Sequence, residues 1–374
     1  MILGVNGIRL VRNRSGVARA VEALLNTFAT LDQPFDDIRV YTPEPLDGLV
    51  RLPAIARNVV VPSRLPPGLW EQISLPRAHG VRDVLFCPSY VAPIFARCPT
   101  LVAHHGSYEG YRERAEVFDW WPRTKARLSY QLSARCATVV TTVSEYSRND
   151  MVRFYGVAPE RIHVVPEGVD TALFRPIDDA AMLSAWRRRV LGADTPFILY
   201  VGKPTKRRNL PNLLRAFGRL KREHGIEHKL VLIGTALPGT SFSALIEEMG
   251  IGDDVVAVPH AAHSEVALAY NASSVMIYPS SYEGFGMPVL EAMACGTPVI
   301  ALDNTAFPEF AAGVATLLPD AEVDTLMRAI GDVLGDPVLR ARARTEGPRR
   351  AAGYEWRLVA RKYLDLLVPL APAR

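Results

Sequence analysis

The stretch Tyr278-Pro-Ser-Ser-Tyr-Glu-Gly-Phe-Gly-Met-Pro-Val-Leu-Glu-Ala-Met-Ala-Cys-Gly-Thr-Pro-Val-Ile300 decides how this chain is read. The apolar run Val275–Tyr278 leads into it as a strand, and a helix over Pro288–Ala294 follows. Pro288 suits a first helical turn, where its missing N–H would have no partner. Gly296 suits the stop. Gly284 and Gly286 let backbone approach a ligand, and the N–H groups of a helix start favour an anion. Glu291 reads as lying in the first turn, where a carboxylate can accept from both hydroxyls of a vicinal diol such as a ribose. Glu283 stands ahead of the helix. The pattern is a phosphate cradle flanked by two carboxylates, as a nucleotide diphosphate would need. A tight strand–helix turn with a capping glutamate would use the same residues. The third glycine of the dinucleotide fingerprint is absent, since Val289 stands there.

Outward from this segment, short β-branched runs alternate with amphipathic stretches. Strands are expected at the N-terminus and over Ile38–Thr42, Asn58–Val61, Asp83–Cys87, Thr100–His104, Thr138–Ser144 and Ile162–Pro166. A second series runs through Phe197–Gly202, Lys229–Gly234, Asp254–Pro259, Val275–Ser280, Pro298–Asp303 and Ala315–Pro319. Consecutive apolar positions are those of parallel strands buried on both faces. Helical patterns such as Gly16–Leu31, Asn209–His224, Ser264–Ala272 and Thr325–Leu334 lie between them. The expected class is α/β: two Rossmann-like, doubly wound domains facing a cleft. A Pro with acidic residues, then Trp186-Arg-Arg-Arg, suggests a linker near 175–195. The domains are therefore expected over residues 1–175 and 190–354.

Composition agrees with a folded two-domain chain. Of 374 residues, 49% are hydrophobic and 22% charged, which excludes disorder as the main state. The net charge of +4 is too weak to argue for nucleic acid and suits an anionic substrate or membrane surface. Cys87, Cys98, Cys136 and Cys295 form no C-x-x-C and no disulfide framework, so they read as small buried residues in a reducing compartment. The opening Met1-Ile-Leu-Gly-Val lacks a basic leader and a cleavage site, and no apolar run approaches ~20 residues. A cytoplasmic protein is expected, with peripheral contact at the inner membrane face.

Glu283-Gly-Phe-Gly-Met-Pro-Val-Leu-Glu291 resembles the E-x7-E motif of retaining glycosyltransferases of family 4. Phe307-Pro-Glu309 resembles the P-E turn that follows it there. Tyr200-Val-Gly-Lys-Pro-Thr-Lys-Arg-Arg-Asn209 is similar to the family's V-G…R-K-N block, with Arg208 at the usual lysine. Thr100-Leu-Val-Ala-His-His-Gly106 resembles its H-D strand end: His104 matches the His, and His105 stands at the usual Asp. Val165-Pro-Glu-Gly-Val-Asp170 resembles its P-N-G-v-D stretch, with Glu167 at the usual Asn. Asn13-Arg-Ser-Gly16 resembles its first glycine loop. Tyr354-Glu-Trp356…Tyr363 resembles the C-terminal helix, about 355–374, that crosses back to the first domain.

The resemblance implies the glycosyltransferase-B fold, with the acceptor on the N-terminal side and the nucleotide sugar on the C-terminal side. It implies metal-independent transfer of a hexosyl unit, with retention, from a UDP- or GDP-sugar to a hydroxyl. The acceptor would be a glycan, a lipid-linked sugar or a small molecule, as in polysaccharide biosynthesis. His104, Glu283, Arg207 and Arg208 take the catalytic positions. Gly16, Lys203, Gly284, Phe285, Gly286 and Glu291 take the nucleotide-sugar positions. The donor is a substrate, so no cofactor and no resident metal is expected. Basic side chains at a strand's carboxyl end can neutralise a leaving diphosphate, and the chain has no D-x-D triplet of metal-dependent transferases. An epimerase on the same fold and a silent sugar-nucleotide-binding protein are the alternatives; the intact pair of glutamates argues against both.

Two other patterns carry less. Gly234-Thr-Ala-Leu-Pro-Gly239-Thr follows a strand as a P-loop does, but lacks its lysine. His260-Ala-Ala-His263 has no zinc signature around it. From Trp120 to Ser144 there is no acid, while Arg123, Lys125, Arg127 and Arg135 are basic, with Leu128 and Leu132 at helical spacing. Such a helix either packs its leucines on its own domain or lies on an anionic membrane.

Overall fold

The computed structural model describes every residue except 12–15, 47, 49, 79–81, 111–119, 238–239 and 373–374. The chain forms two compact units, Met1–Gly168 with Trp356–Arg374, and Val169–Glu355. Each is built on one parallel sheet.

In the first unit β1 is Ile2–Asn6, β2 Asp37–Thr42, β3 Ala56–Val60, β4 Val84–Cys87, β5 Thr100–His104, β6 Val139–Thr142 and β7 Ile162–Val164. Their order is β3-β2-β1-β4-β5-β6-β7. In the second unit β8 is Phe197–Val201, β9 Lys229–Ile233, β10 Val255–Val258, β11 Val275–Tyr278, β12 Val299–Leu302 and β13 Thr316–Leu318, ordered β10-β9-β8-β11-β12-β13. Every pairing is parallel, as in Leu3↔Val84 and Met276↔Val299. In both sheets the order reverses beside the first strand, between β1 and β4 and between β8 and β11. Loops diverge there, and ligands of doubly wound sheets bind outside the carboxyl ends. Both units are Rossmann-like, and each expected strand is present with its ends moved by a residue or two.

The stretch expected as a linker is different. Residues Ala180–Leu191 form a helix within the second unit. Asp179 accepts from Met182 N at 2.9 Å and Gly192 closes the helix at φ 80°. Trp186 is buried, stacks on Phe197 at 5.4 Å and donates to Glu265. The arginines that read as linker charge are ion-paired, Arg187 with Asp194 and Arg189 with Glu265. The units meet in sequence at Gly168–Val169, ahead of this helix.

The helix Trp356–Leu367 belongs to the first unit. Val359, Ala360, Tyr363, Leu364 and Leu367 join the core with Leu24, Phe28 and Phe86. Fully burying one leucine is worth ~1.5–3 kcal/mol, so this segment is an integral part of that core. Among the cysteines only Cys87 and Cys295 are buried; Cys98 is half-buried and Cys136 exposed, and none of the four is in a disulfide.

One helical segment lacked a signal in the sequence: Pro67–Arg77, wound as a π-helix over Trp70–Ser74. Trp70 is buried there and donates to Val61 O at 2.9 Å. Glu71 is buried too, with Asn6 Nδ2 donating to it at 2.8 Å. Burial pushes its carboxyl up from 4.5 to about 7, against the Asn6 hydrogen bond. A raised carboxyl costs stability as pH climbs from the unfolded to the folded value, and the full cost persists above it. Glu71→Gln keeps an acceptor for Asn6. It is expected to raise stability by roughly 2–3 kcal/mol at pH 8, at ~1.4 kcal/mol per pKa unit, and to change little at pH 4. Thermal melts at the two pH values check this; equal shifts at both would rule out the carboxylate as the cause.

Candidate active site

The second sheet ends its central strand at Val201, and Gly202 follows at φ 143°. A Cβ at Gly202 would collide with the Arg208 guanidinium, so only glycine lets that side chain fold back over the strand end. Lys206–Arg208 form a 3-10 turn, closed by Asn209 in the left-handed region at φ 47°. Asn209 Nδ2 donates to Pro279 O at 2.8 Å, and Ser281 N to Arg207 O at 2.7 Å. The loops after β8 and β11 are thus fastened together at the switch point.

Glu283 lies at the centre of this construction. Tyr278 Oη and Ser280 Oγ each donate to its Oε1 at 3.0 Å, and Arg208 Nε at 3.2 Å. Arg207 pairs with the same oxygen and also donates to Tyr282 O. Glu283 is buried, and burial alone would raise its pKa. The two guanidinium groups, helped by the Tyr278 hydroxyl, outweigh that and hold the carboxyl below its usual 4.5. Arg208 is desolvated as well, yet the Glu283 charge and the Tyr278 and Tyr200 hydroxyls raise its pKa. Its guanidinium also sits over the Tyr278 ring at 5.2 Å and donates to Lys203 O at 3.1 Å. Two cations and one anion leave the cluster with a positive excess. A guanidinium carries five N–H donors, so one carboxylate oxygen does not exhaust it.

Gly286 begins the following helix, Met287–Ala294, at φ 107°, and a Cβ there would meet the Phe307 ring at 2.5 Å. Glu291 therefore lies a full turn into the helix, and its first turn carries no acid. The Tyr270 hydroxyl donates to Glu291 Oε2 at 3.1 Å. Gly284 is buried beside Glu283. Phe285 is turned inward, stacked on Phe310 at 4.7 Å and tilted against Tyr354. Lys203 is exposed.

The structure thus brings Arg207, Arg208 and Glu283 into one cluster, with Gly284, Gly286 and Glu291 on the segment that leaves it. It adds Tyr278, Ser280, Asn209, Tyr270 and Thr305, whose Oγ1 accepts from Glu283 N at 3.3 Å. Their only sequence signal was proximity to the glutamates or the basic turn. Tyr270 and Thr305 lacked even that.

The remaining candidates belong to the first unit. Gly16 begins the helix Gly16–Phe28, and its loop partners Asn13–Ser15 lie outside the described residues. His104 ends β5 with no exposed surface. Its ring packs against Tyr90, Tyr130 and Tyr155, and neither ring nitrogen has a partner among the described residues. Burial, helped by His105, lowers its pKa to about 3, so the ring is neutral. The ring of His104, expected at the donor sugar, lies among these aromatic side chains. Its last place on a strand buried on both faces turns it into the core. His105 instead meets the carboxylate of Glu167.

Comparison with known proteins supplies the family. Residues 14–173 match the family model described as Glycosyltransferase Family 4, and residues 186–350 that of Glycosyl transferases group 1. An MMP alpha-(1->4)-mannosyltransferase of Mycolicibacterium hassiacum is 34% identical over 69% of this chain and 62% of its own length. A D-inositol 3-phosphate glycosyltransferase of Kineococcus radiotolerans is 32% identical over 60% of this chain and 55% of its own. The chain thus spans less than two thirds of these curated relatives. Among solved structures, sucrose-phosphate synthase of Thermosynechococcus elongatus superposes with a TM-score of 0.77, at 20% identity, over 98% of both chains. Anabaena Alr3699/HepE, solved with UDP and glucose, gives 0.77 at 16% identity over 98% of both. With a family model matched on each unit and two Rossmann-like domains of the same fold, this chain belongs to the family 4 glycosyltransferases of the GT-B fold.

Proposed function

We propose that the protein moves a hexosyl unit from a UDP- or GDP-sugar to an acceptor hydroxyl, with retention of configuration. The observation that carries this reading is the buried Glu283 carboxylate held by Arg207 and Arg208 at the β8/β11 switch point. Glycosyl transfer builds positive charge on the sugar and negative charge on the leaving phosphate. A fixed carboxylate beside two guanidinium groups matches that separation before the reaction begins. Arg207, Arg208 and the Gly284–Gly286 amides are assigned to the diphosphate, Glu283 to the donor sugar and Glu291 to the ribose. Lys203 is placed at the outer phosphate. Retention then follows front-face displacement, in which the leaving phosphate takes the acceptor's proton. The relatives named above are both transferases, and nothing in them favours an epimerase.

A thermal-shift panel of UDP, GDP, ADP and dTDP sugars tests the reading. The true donor at ~100 times its Kd adds about 2.7 kcal/mol of stability. Glu291→Ala leaves two ribose hydroxyls without a charged acceptor and is expected to weaken that donor by roughly 1.5–3 kcal/mol. A variant with unchanged donor affinity would remove Glu291 from the ribose site. If no sugar nucleotide shifts the melt, the transferase reading falls.

A second reading concerns the acceptor, a glycan or lipid-linked sugar of polysaccharide biosynthesis, and a specific observation favours a membrane surface. On the helix Trp120–Cys136, Leu128 is 54% and Leu132 45% exposed rather than packed on their own domain. Arg127 and Arg135 turn the other way, donating to Phe154 O and Tyr155 O at the end of helix Glu145–Tyr155. Lys125 stays exposed; the side chains of residues 120–123 lie outside the described ones. No helix among the described residues is long and apolar enough to cross a membrane. The membrane face would rest on Leu128, Leu132 and Lys125. Leu128→Glu with Leu132→Glu is expected to reduce sedimentation with anionic vesicles while leaving the melting temperature unchanged. Equal recovery in the supernatant with anionic and neutral vesicles would end this reading.

A further inference from the structure

Two positions at which the chain departs from the pattern it resembles, His105 and Glu167, meet in the structure. His105 Nδ1 lies 2.6 Å from Glu167 Oε1, and the side chains are 12% and 10% exposed. His105 Nε2 lies 2.7 Å from the carbonyl oxygen of Pro88. A carboxylate and a carbonyl only accept, and a neutral imidazole donates from one nitrogen alone. With Glu167 ionised, both contacts are hydrogen bonds only if both ring nitrogens carry protons. The ring also stands edge-on to Tyr90 at 5.5 Å. Tyr90 holds a left-handed backbone at φ 62°, a strained conformation for a bulky residue, and donates its N–H to Ala103 O at 2.8 Å. Pro88 follows β4, His105 follows β5 and Glu167 lies just beyond β7. One ring therefore ties three strand ends on the carboxyl edge of the first sheet.

We propose that His105 and Glu167 are a matched positioning pair, an imidazolium and a carboxylate that together replace an Asp and an Asn and keep the ends of β4, β5 and β7 together. Its bearing on the acceptor side rests on the transferase reading above; the tie itself does not. The surrounding groups leave the pair as a local cation and anion. His104 beside it is neutral, and burial holds Tyr90, and Tyr363 near Glu167, as neutral phenols. Burial and the Arg9 charge oppose the imidazolium, but Glu167 and Pro88 O outweigh them and raise the His105 pKa above 6.5. A raised histidine contributes stability that is complete below its unfolded pKa and is lost as pH climbs through the folded value.

The test uses the full chain. A long-range ¹H–¹⁵N spectrum at pH 7 is expected to show His105 protonated on both nitrogens and His104 on one; a single neutral tautomer at His105 would overturn the proposal. In parallel, His105→Asp, Glu167→Asn and the double variant are melted. Each single variant is expected to lose on the order of 10 °C, because one leaves two buried carboxylates together and the other an unpaired cation. The double variant is expected to recover most of that loss at pH 6, and its remaining gap to the wild type to narrow at pH 9. Losses that simply add would show two independent residues and overturn the pair. UDP and GDP affinities on the same samples are expected to stay within about twofold of the wild type, because the nucleotide is assigned to residues of the other unit. A wild type that binds no nucleotide counts against the transferase reading and leaves the spectrum and the melts to decide the pair.

Discussion

Glu283→Ala is expected to eliminate sugar transfer and to lower the stability of the second unit by about 3–5 kcal/mol, the usual cost of stripping one partner from a buried ion pair. Four donors from Tyr278, Ser280, Arg207 and Arg208 end on one oxygen of this carboxylate, so the substitution removes the negative charge that both guanidinium groups share. Glu283→Gln separates shape from charge. The amide keeps an acceptor oxygen, so stability should return in part while transfer stays low, because a neutral group cannot balance positive charge on the sugar. The wild-type contribution is present above the ordinary glutamate value of 4.5 and disappears as pH falls through the lowered value in the fold. Denaturant unfolding and a transfer assay read the two effects. An Ala variant that keeps wild-type stability and turnover would displace Glu283 from the centre of the site.

Arg208→Ala is expected to lower kcat by roughly 10²–10³-fold, or about 2.7–4 kcal/mol, as for removal of one donor to a developing oxyanion. Donor KM should rise less, since charge on the leaving diphosphate peaks in the transition state. The same change also frees Glu283 and empties the space over Gly202 and Tyr278. Arg208→Lys is the control, because it keeps the charge and the stem and forfeits the planar fork. It should retain more activity than the alanine variant. A pure KM effect in Arg208→Ala would assign the residue to ground-state binding alone.

Several features were legible before any coordinates. Both strand series, the helices Gly16–Phe28 and Leu210–His224, and the glycine turn ahead of Met287 follow from runs of a few residues whose period or turn chemistry is local. The helix Ala180–Leu191 has Asp179 and Gly192 at its ends, whereas its arginine run reads locally as linker charge. Its charges are satisfied by Asp194 and by Glu265, a residue 76 positions away, which no local window includes.

The candidate residues divide in the same way. That Glu283, Glu291, Arg207 and Arg208 would serve one chemistry is implied by the family resemblance of the motifs that carry them. That Arg207 and Arg208 spend donors on Glu283 is not, because that contact crosses 75 residues and depends on two loops meeting at a sheet's switch point. The inward turn of His104, the outward turn of Leu128 and Leu132, and the hydroxyl of Tyr270 on Glu291 are also consequences of packing. By itself the sequence determined the order of strands and helices, the family and the residue types available for catalysis. Only the tertiary structure decided which of those residues are neighbours, which are buried and which charges are already paired. Periodicity and turn chemistry act within a few residues, whereas burial and pairing are set by segments that become adjacent only when the sheets form.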